Sequence, residues 1–204
     1  MSSPARARDV FVNCPFDPAY QPLFDAVVFT VIACGYRVRS ALEVTDSGDL
    51  RLSKIISLIE QSGLSIHDLS RVSLDPKTKL PRFNMPIELG IALGMKHLGR
   101  KALRGHKMLV LDSERYRYRI SASDLAGLDI SAHGGKPSRA IGAVRSFLAS
   151  DCSDHLPTED TLETAYAGFR SELPKMAAAA RQSVTKLSYT DRLRHLSAFL
   201  AKTA

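Results

Sequence analysis

The chain has 204 residues, 45% of them hydrophobic, and is long enough to bury one full core and a small appendage. It contains no run of about 18 apolar residues and no apolar leader, so we expect a soluble cytoplasmic protein without a membrane span. The net charge of +7 suits a polyanionic partner, but charge governs encounter rather than fold. Cys14, Cys34 and Cys152 are widely spaced, which argues against a disulfide framework or a zinc site; we expect free thiols.

The first quarter of the chain shows two strand patterns around one helix pattern. Residues 9–13 predict a short buried strand, and the proline-rich stretch after them predicts a turn. Residues 23–35 are apolar on nearly every face and end at Gly35, which predicts a well-buried helix with a glycine stop. Residues 36–42 alternate in polarity and predict a second strand, whose inward side chains would be Tyr36, Val38 and Ala41.

Two predicted helices flank a third strand at residues 64–70. In residues 50–63 apolar side chains recur at three- and four-residue steps, which predicts an amphipathic helix that ends at Gly63. Its predicted inward residues are Leu52, Ile55, Ile56 and Ile59. The other helix follows a charged, proline-rich loop, with Asn84 as its predicted N-cap and Pro86 in its first turn.

The alternation of strands and helices continues into the second half of the chain. Residues 106–112 and 124–131 predict a fourth and a fifth strand, and residues 138–150 predict a helix beside them. This order is typical of an α/β fold, a parallel five-stranded sheet with helices on both faces.

The pattern changes near residue 155, where only helical sequence follows. We therefore divide the chain into an α/β domain, residues 1–154, and a helical C-terminal extension, residues 155–204, interrupted at Pro174. Such an extension could pack on the domain, or it could join copies of the chain into a homo-oligomer or bind a partner protein.

Polar residues follow each of the first three predicted strands. In an open parallel sheet, ligands collect at the carboxyl ends of the strands, where loops and helix N-termini converge. The residues after the first strand are Asn13, Cys14, Phe16, Asp17 and Tyr20. Those after the second are Glu43, Asp46 and Asp49, and those after the third are Asp68, Ser70 and Arg71.

One carboxylate, Glu88, lies inside the apolar stretch "FNMPIELGIALGMK" and is predicted to face the same crevice. A glutamate in the first turn of a helix can simply interact with the helix dipole and free backbone N–H groups, worth about 0.3 to 1 kcal/mol. Against that reading, Gly90 and Gly94 thin the helix and would allow another backbone or a ligand to approach closely. We therefore interpret Glu88 as a catalytic carboxylate.

The other candidates have structural alternatives. Asp68 ends an apolar strand and could form a turn or cap. His67 should point to the opposite face from Asp68 because side chains alternate along a strand, and we interpret it as a core or surface histidine. Cys14 would need a lowered thiol pKa and a partner base to act as a nucleophile, and the sequence shows no such base.

The segments "VFVNCPFD", "IISLIEQSG", "LSIHDLS" and above all "NMPIELGIALG" resemble the nucleoside 2-deoxyribosyltransferase-like and TIR-like group of flavodoxin-type domains. The resemblance covers roughly residues 9–150 and implies a flavodoxin-like fold. It implies that Glu88 is the catalytic carboxylate and that Asp68 helps to hold the ribose or base, so Glu88 and Asp68 are the expected catalytic residues. The expected substrate-binding residues are Asn13, Phe16, Asp17, Tyr20, Glu43, Ser70, Arg71, Asn84 and Met85.

The resemblance implies cleavage or transfer of an N-glycosidic bond in a nucleotide. NAD+ is the favoured substrate because nicotinamide leaves as a neutral base without a strong general acid, whereas a deoxynucleoside purine would need one. NAD+ or a nucleoside would be the substrate, and neither a cofactor nor a metal is expected. For TIR-like domains of this size the resemblance further implies a role as an effector in bacterial defence against phage.

Two other functions stay open at this point. The first is a non-catalytic module of the same fold that senses a nucleotide or binds other proteins. The second is nucleic-acid binding through the basic residues between Lys96 and Lys107, although no standard DNA-reading motif accompanies them. A membrane partner is not expected.

Overall fold

The computed structural model describes residues 8–43, 48, 50–71, 80, 82–120, 122–153 and 155–203. In this part of the chain the strands are β1 (Asp9–Asn13), β2 (Arg37–Arg39), β3 (Leu64–Asp68), β4 (Lys107–Asp112) and β5 (Ile130–Ala132). The α-helices are α1 (Gln21–Ala33), α2 (Arg51–Gln61), α3 (Asn84–Leu98), α4 (Pro137–Ala149), α5 (Glu159–Ala179) and α6 (Tyr189–Thr203). The predicted Asp46 and Asp49 lie outside the described residues.

The five strands form one parallel sheet in the order β2-β1-β3-β4-β5. This is the flavodoxin-like order, with helices on both faces and a C-terminal helical part, and it confirms the predicted fold class. The strand order reverses between β1 and β3, where Asn13 lies directly opposite His67. A sheet of this kind offers its ligand crevice at that switch point.

Side-chain alternation distributes the core over both faces of the sheet. Val10, Val12 and Ile66 belong to a large apolar cluster with α1 and α4, whereas Phe11 packs with α2 and α3 on the other face. The α1 side chains from Leu23 to Val31 are all buried, because this helix lies between the sheet and the C-terminal helices. The predicted well-buried helix is thereby confirmed.

Several predicted boundaries are wrong. In α2 the buried residues are Ile55, Leu58 and Ile59, while Leu52 and Ile56 are 48% and 37% exposed, because the sheet covers a narrower stripe than the pattern suggested. The helix ends at Ser62 in an extended conformation rather than at Gly63. The fifth strand contains only Ile130–Ala132, and Ser123–Leu125 forms a 3₁₀ turn before it.

The helix that carries Glu88 also starts differently from the prediction. Phe83 is the N-cap, and Asn84 is the first helical residue, without a side-chain cap. Glu88 is therefore in the second turn, where the free backbone N–H groups of the helix start lie behind it. A capping role does not account for Glu88. A Cβ added at Gly90 or Gly94 would meet nothing within 4 Å, so no backbone of the described chain approaches them.

The C-terminal helices pack on α1 as part of the main core. Tyr166 and Phe169 of α5 lie against Phe29, with ring centroids 5.6 and 5.9 Å away, and the Tyr166 hydroxyl donates to the Pro22 carbonyl at 2.6 Å. Pro174 does not interrupt α5, because Leu173 and Ala177 on either side are buried and hold the helix together. No helix of the described residues is long and apolar enough to cross a membrane.

We predict that Phe169→Ala destabilises the whole protein by about 3 to 5 kcal/mol, since it empties a buried site between Phe29 and Phe199. Urea unfolding followed by circular dichroism measures the change, and Phe83→Ala, at an exposed phenylalanine, is the control. A shared core requires one cooperative transition that moves to lower urea. A separate early transition for the C-terminal helices would contradict it.

Candidate active site

The alternation of side chains along β3 creates two polar groups at the carboxyl edge, on opposite faces of the sheet. Asp68 lies on the α1 face, as its contact with Tyr20 shows, and His67 lies on the α2 and α3 face with Phe11. This confirms that His67 and Asp68 point in opposite directions. We name the first group, Cys14, Tyr20, Asp68 and His133, the Asp68 cluster.

The carboxylate of Asp68 is fully buried and uses both of its oxygens. Oδ1 accepts from the Ser70 backbone N–H at 2.7 Å, and Oδ2 accepts from the Tyr20 hydroxyl at 2.5 Å and from His133 Nε2 at 3.0 Å. The Gly135 N–H donates to His133 Nδ1 at 2.9 Å. Since Nδ1 accepts, Nε2 carries the proton and donates to Asp68.

These contacts set the charges of the Asp68 cluster. Burial would raise the pKa of Asp68, but the hydrogen bonds from His133, Ser70 and Tyr20 outweigh it and hold the pKa below its usual value. Burial raises the pKa of both Cys14 and Tyr20, and the nearby Asp68 charge adds to the effect. At neutral pH the cluster therefore holds one buried anion, a neutral thiol and a neutral phenol. Cys14 is not an activated nucleophile.

The loop side chains around Asp68 are held by one another. The Arg71 guanidinium donates to both carboxylate oxygens of Asp17, at 2.9 and 3.1 Å, and Asp17 in turn accepts from the Tyr20 backbone N–H. Phe16 packs edge-on against Phe24. Tyr20 is buried and gives its hydroxyl to Asp68, so it is not a stacking surface for a base in this structure.

Glu43 closes the turn after β2. Its carboxylate accepts from the Ser40 backbone N–H at 2.6 Å and from Arg39 Nε at 3.0 Å. This places Glu43 at the carboxyl edge beside β1, as expected for the second loop, but with both oxygens engaged.

A second polar group lies on the α2 and α3 face, and we name it the His67 chain: Asn13, His67, Ser65 and His106. Asn13 Nδ2 lies 3.1 Å from His67 Nδ1 and donates to the Met85 carbonyl at 3.3 Å. His67 Nε2 lies 2.9 Å from Ser65 Oγ, which is 2.8 Å from His106 Nε2. All four side chains are buried. The chain ties the end of β1 to the first turn of α3.

Glu88 lies on α3, one turn from Met85, and no described residue forms a hydrogen bond or ion pair with its carboxyl. It is 5% exposed. Burial raises its pKa to about 7, and the Arg51 charge at the start of α2 opposes the shift only in part. A carboxyl with this pKa is half ionised at neutral pH and can act as a nucleophile or base.

The predicted site residues thus form two groups, and three of them lie apart from both. Asn13 and Met85 touch each other one turn from Glu88, whereas Asp68, Tyr20 and Ser70 are joined on the other face, with Asp17 and Arg71 in the loops beside them.

The remaining three residues do not join either group. Phe16 is partly buried and packs against the core, Glu43 closes its own turn, and Asn84 is exposed at the start of α3.

Two edge residues were not among the candidates. His133 follows β5 and completes the Asp68 cluster, and Asp112 ends β4, where Arg117 donates to it from Nε and Nη2. Asp112 is the last residue of its strand and His133 directly follows its own, so polar residues at the ends of all five strands, rather than of three, include them. The paired glycines after His133, both at positive φ, were a second signal of a tight turn there.

No protein-family model matches the sequence, and no curated protein matches it significantly. Among the described residues, no group of three or more His, Cys, Asp or Glu side chains could hold a metal ion.

We predict that Glu88→Gln raises the melting temperature at pH 8. The native pKa of Glu88, about 7, exceeds that of an unfolded glutamate, so the native state binds more protons and wild-type stability falls as pH rises from about 4.5 to 7. The amide carries no charge to desolvate. Melting curves from pH 5 to 8 should show the difference growing with pH, while the exposed Glu60→Gln should show none. Equal melting temperatures at pH 8 would contradict an unpaired buried carboxylate.

Asp68→Asn should lower stability by about 1 to 3 kcal/mol, because the amide NH₂ would face N–H or O–H donors that now bind the carboxylate. The native pKa of Asp68 is lowered, so its contribution is present above the ordinary value of 3.8 and is lost as pH falls through the lower native value. Urea unfolding at pH 7 and at pH 3 measures the loss, with the exposed Asp124→Asn as control. A loss as large at pH 3 as at pH 7 would contradict the assigned charge.

Proposed function

We propose that this protein cleaves or transfers the N-glycosidic bond of a nucleotide, with NAD+ as the favoured substrate and Glu88 as the catalytic carboxylate. The observation that carries the proposal is the state of Glu88: buried, unpaired among the described residues and half ionised near pH 7. Burying a carboxylate without a partner lowers the stability of the folded state, and residues with pKa values perturbed in this way are common at functional sites. The position of Glu88 on α3, one turn from the residue that Asn13 contacts, supports it further.

The chemistry needs little more than a well-placed carboxylate. Breaking the C1′–N bond moves its electron pair to the leaving base and leaves oxocarbenium character at C1′. The Glu88 carboxylate can stabilise that charge or form a covalent ribosyl ester, which water or another acceptor then resolves. Nicotinamide departs as a neutral base, so no strong general acid is required.

The fold supplies rigid surroundings for this step. Asn13 fixes the first turn of α3 to the end of β1, and the Asp68 cluster fixes the loops over the other face. Asp68 would then act as a positioning residue, because both of its oxygens already accept hydrogen bonds within the protein. Arg71 could hold a phosphate only by exchanging its bond to Asp17, and Arg117 is committed to Asp112 and to the Leu69 carbonyl.

A defence role, as an effector that removes NAD+ during phage infection, is the cellular setting we propose. It rests on the resemblance of the "NMPIELGIALG" segment to TIR-like domains. The same resemblance covers nucleoside deoxyribosyltransferase-like enzymes, so nucleosides and deoxynucleosides belong in the substrate panel.

The test is release of free base from NAD+, nucleosides and deoxynucleosides, measured by chromatography for wild type, Glu88→Gln and Glu60→Gln. We expect wild type and Glu60→Gln to release base and Glu88→Gln to fall at least 100-fold, since an amide cannot stabilise the cation or form the ester. The rate kcat/KM should rise with pH to a plateau with an apparent pKa of about 7, as Glu88 ionises.

The outcomes separate the enzyme from its alternatives. Base release that is equal in wild type and Glu88→Gln would remove Glu88 from the reaction. No release at high protein concentration, with NAD+ binding retained, would favour a non-catalytic nucleotide sensor instead.

A further inference from the structure

The His67 chain contains one acceptor that no described residue uses. Asn13 Oδ1 is buried and has no hydrogen-bond partner within the part of the chain that the structure describes, although the NH₂ group of the same amide makes two contacts. An unpaired buried acceptor loses its hydrogen bonds to water without replacement and therefore calls for an explanation.

The orientation of this amide is fixed by its surroundings. The Met85 carbonyl can only accept, so the amide atom 3.3 Å away must be the NH₂ nitrogen. The same nitrogen faces His67 Nδ1 at 3.1 Å, which accepts its second proton. A flipped amide would place its oxygen against the Met85 carbonyl. Oδ1 is therefore the free end.

The rest of the chain holds His67 in the tautomer that this orientation needs. With Nδ1 accepting, His67 Nε2 donates to Ser65 Oγ at 2.9 Å, and the Ser65 hydroxyl donates to His106 Nε2 at 2.8 Å. His106 Nδ1 then donates to the Ser62 carbonyl at 3.1 Å. The donor and acceptor of each hydrogen bond in this series are thereby fixed, because the series ends at the Met85 carbonyl on one side and at the Ser62 carbonyl on the other. Burial and the nearby His106 lower the pKa of His67 to about 3, so the ring stays neutral.

The acceptor lies at the start of the helix that carries the proposed catalytic residue. Asn13 is the last residue of β1, at the switch point of the sheet, and its amide donates to the Met85 backbone carbonyl. Glu88 follows Met85 by three residues, so it lies within one turn of this contact along α3. One helical turn spans about 5.4 Å, which is comparable to the size of a sugar ring with its hydroxyl groups. A ribosyl group in contact with Glu88 could therefore extend toward the start of α3.

We propose that Asn13 Oδ1 accepts a hydrogen bond from a ring hydroxyl of the ribosyl group, and that His67 is the positioning residue that holds the amide oxygen toward it. The inference rests on the proposed function and names a substrate class, namely ribosyl compounds rather than analogues that lack the 2′- or the 3′-hydroxyl. A site built to bind a substrate hydroxyl rejects an analogue without it, since its own polar group is then left unpaired.

Four proteins and three substrates test the inference. The proteins are wild type, Asn13→Ala, His67→Phe and Thr30→Val, the last a buried hydrogen-bonding residue of α1 on the other face of the sheet. The substrates are NAD+ and its analogues that lack the 2′- or the 3′-hydroxyl of the nicotinamide ribose. The quantity measured is the ratio of kcat/KM for NAD+ to that for each analogue.

Wild type and Thr30→Val should prefer NAD+ over one of the analogues by about tenfold, and Asn13→Ala should lose that preference. His67→Phe should reduce the preference as well, because the amide is then free to turn. A merely structural role for Asn13 or His67 would lower all three rates together and leave the ratios unchanged. Unchanged ratios in Asn13→Ala would overturn the inference while Glu88-dependent turnover stands.

A measurement on wild type keeps the orientation testable without turnover. Nitrogen-15 NMR of the histidine rings from pH 5 to 9 should show His67 neutral throughout, protonated at Nε2 and bare at Nδ1. A His67 ring that titrates in this range, or one protonated at Nδ1, would overturn the assigned direction of the amide. Failure of the proposed function would instead show as no base release from any substrate.

Discussion

The two-residue period of β3 is the constraint on which the rest of the site depends. The strand is buried on both faces, and consecutive side chains point to opposite faces. Two consecutive polar residues must therefore each form hydrogen bonds with a separate set of partners. Asp68 finds Tyr20, Ser70 and His133. His67 finds Asn13 and Ser65. Two polar networks, rather than one, are the physical result, and the backbone joins them at His67–Asp68 and at Asn13–Cys14.

The two networks differ in electrostatic character. The Asp68 cluster holds a buried negative charge surrounded by donors, whereas burial keeps the His67 ring of the other network neutral. Glu88 belongs to neither network, and burial raises its pKa to about 7. A buried carboxyl beside two hydrogen-bonded networks fits the preorganised site that we propose.

The sequence predicts the fold better than it predicts the site. Strand and helix order follow from local periodicity, which is why β1, α1 and β3 agree with expectation. Whether Leu52 or Leu58 faces inward depends on how much surface the sheet covers, and Pro174 stays helical because of its packed neighbours; neither fact is local. The burial of Glu88 in a helix was predictable from its apolar context, whereas its place in the second turn was not. The partners of Asp68 were not, because His133 arrives from 65 residues away through the topology of the sheet.

The packing of the C-terminal helices also bears on how the first loop can move. Tyr166 binds the Pro22 carbonyl and Arg192 binds Asp25, so the first turn of α1 is anchored from outside the sheet. Any rearrangement of the segment that carries Asp17 and Tyr20 must therefore be absorbed between the end of β1 and Pro22. If the loop opened there, Tyr20 would separate from Asp68 and the buried carboxylate would lose one of its hydrogen-bond donors. That loss is unfavourable, so the Tyr20–Asp68 contact stabilises the closed position of the loop.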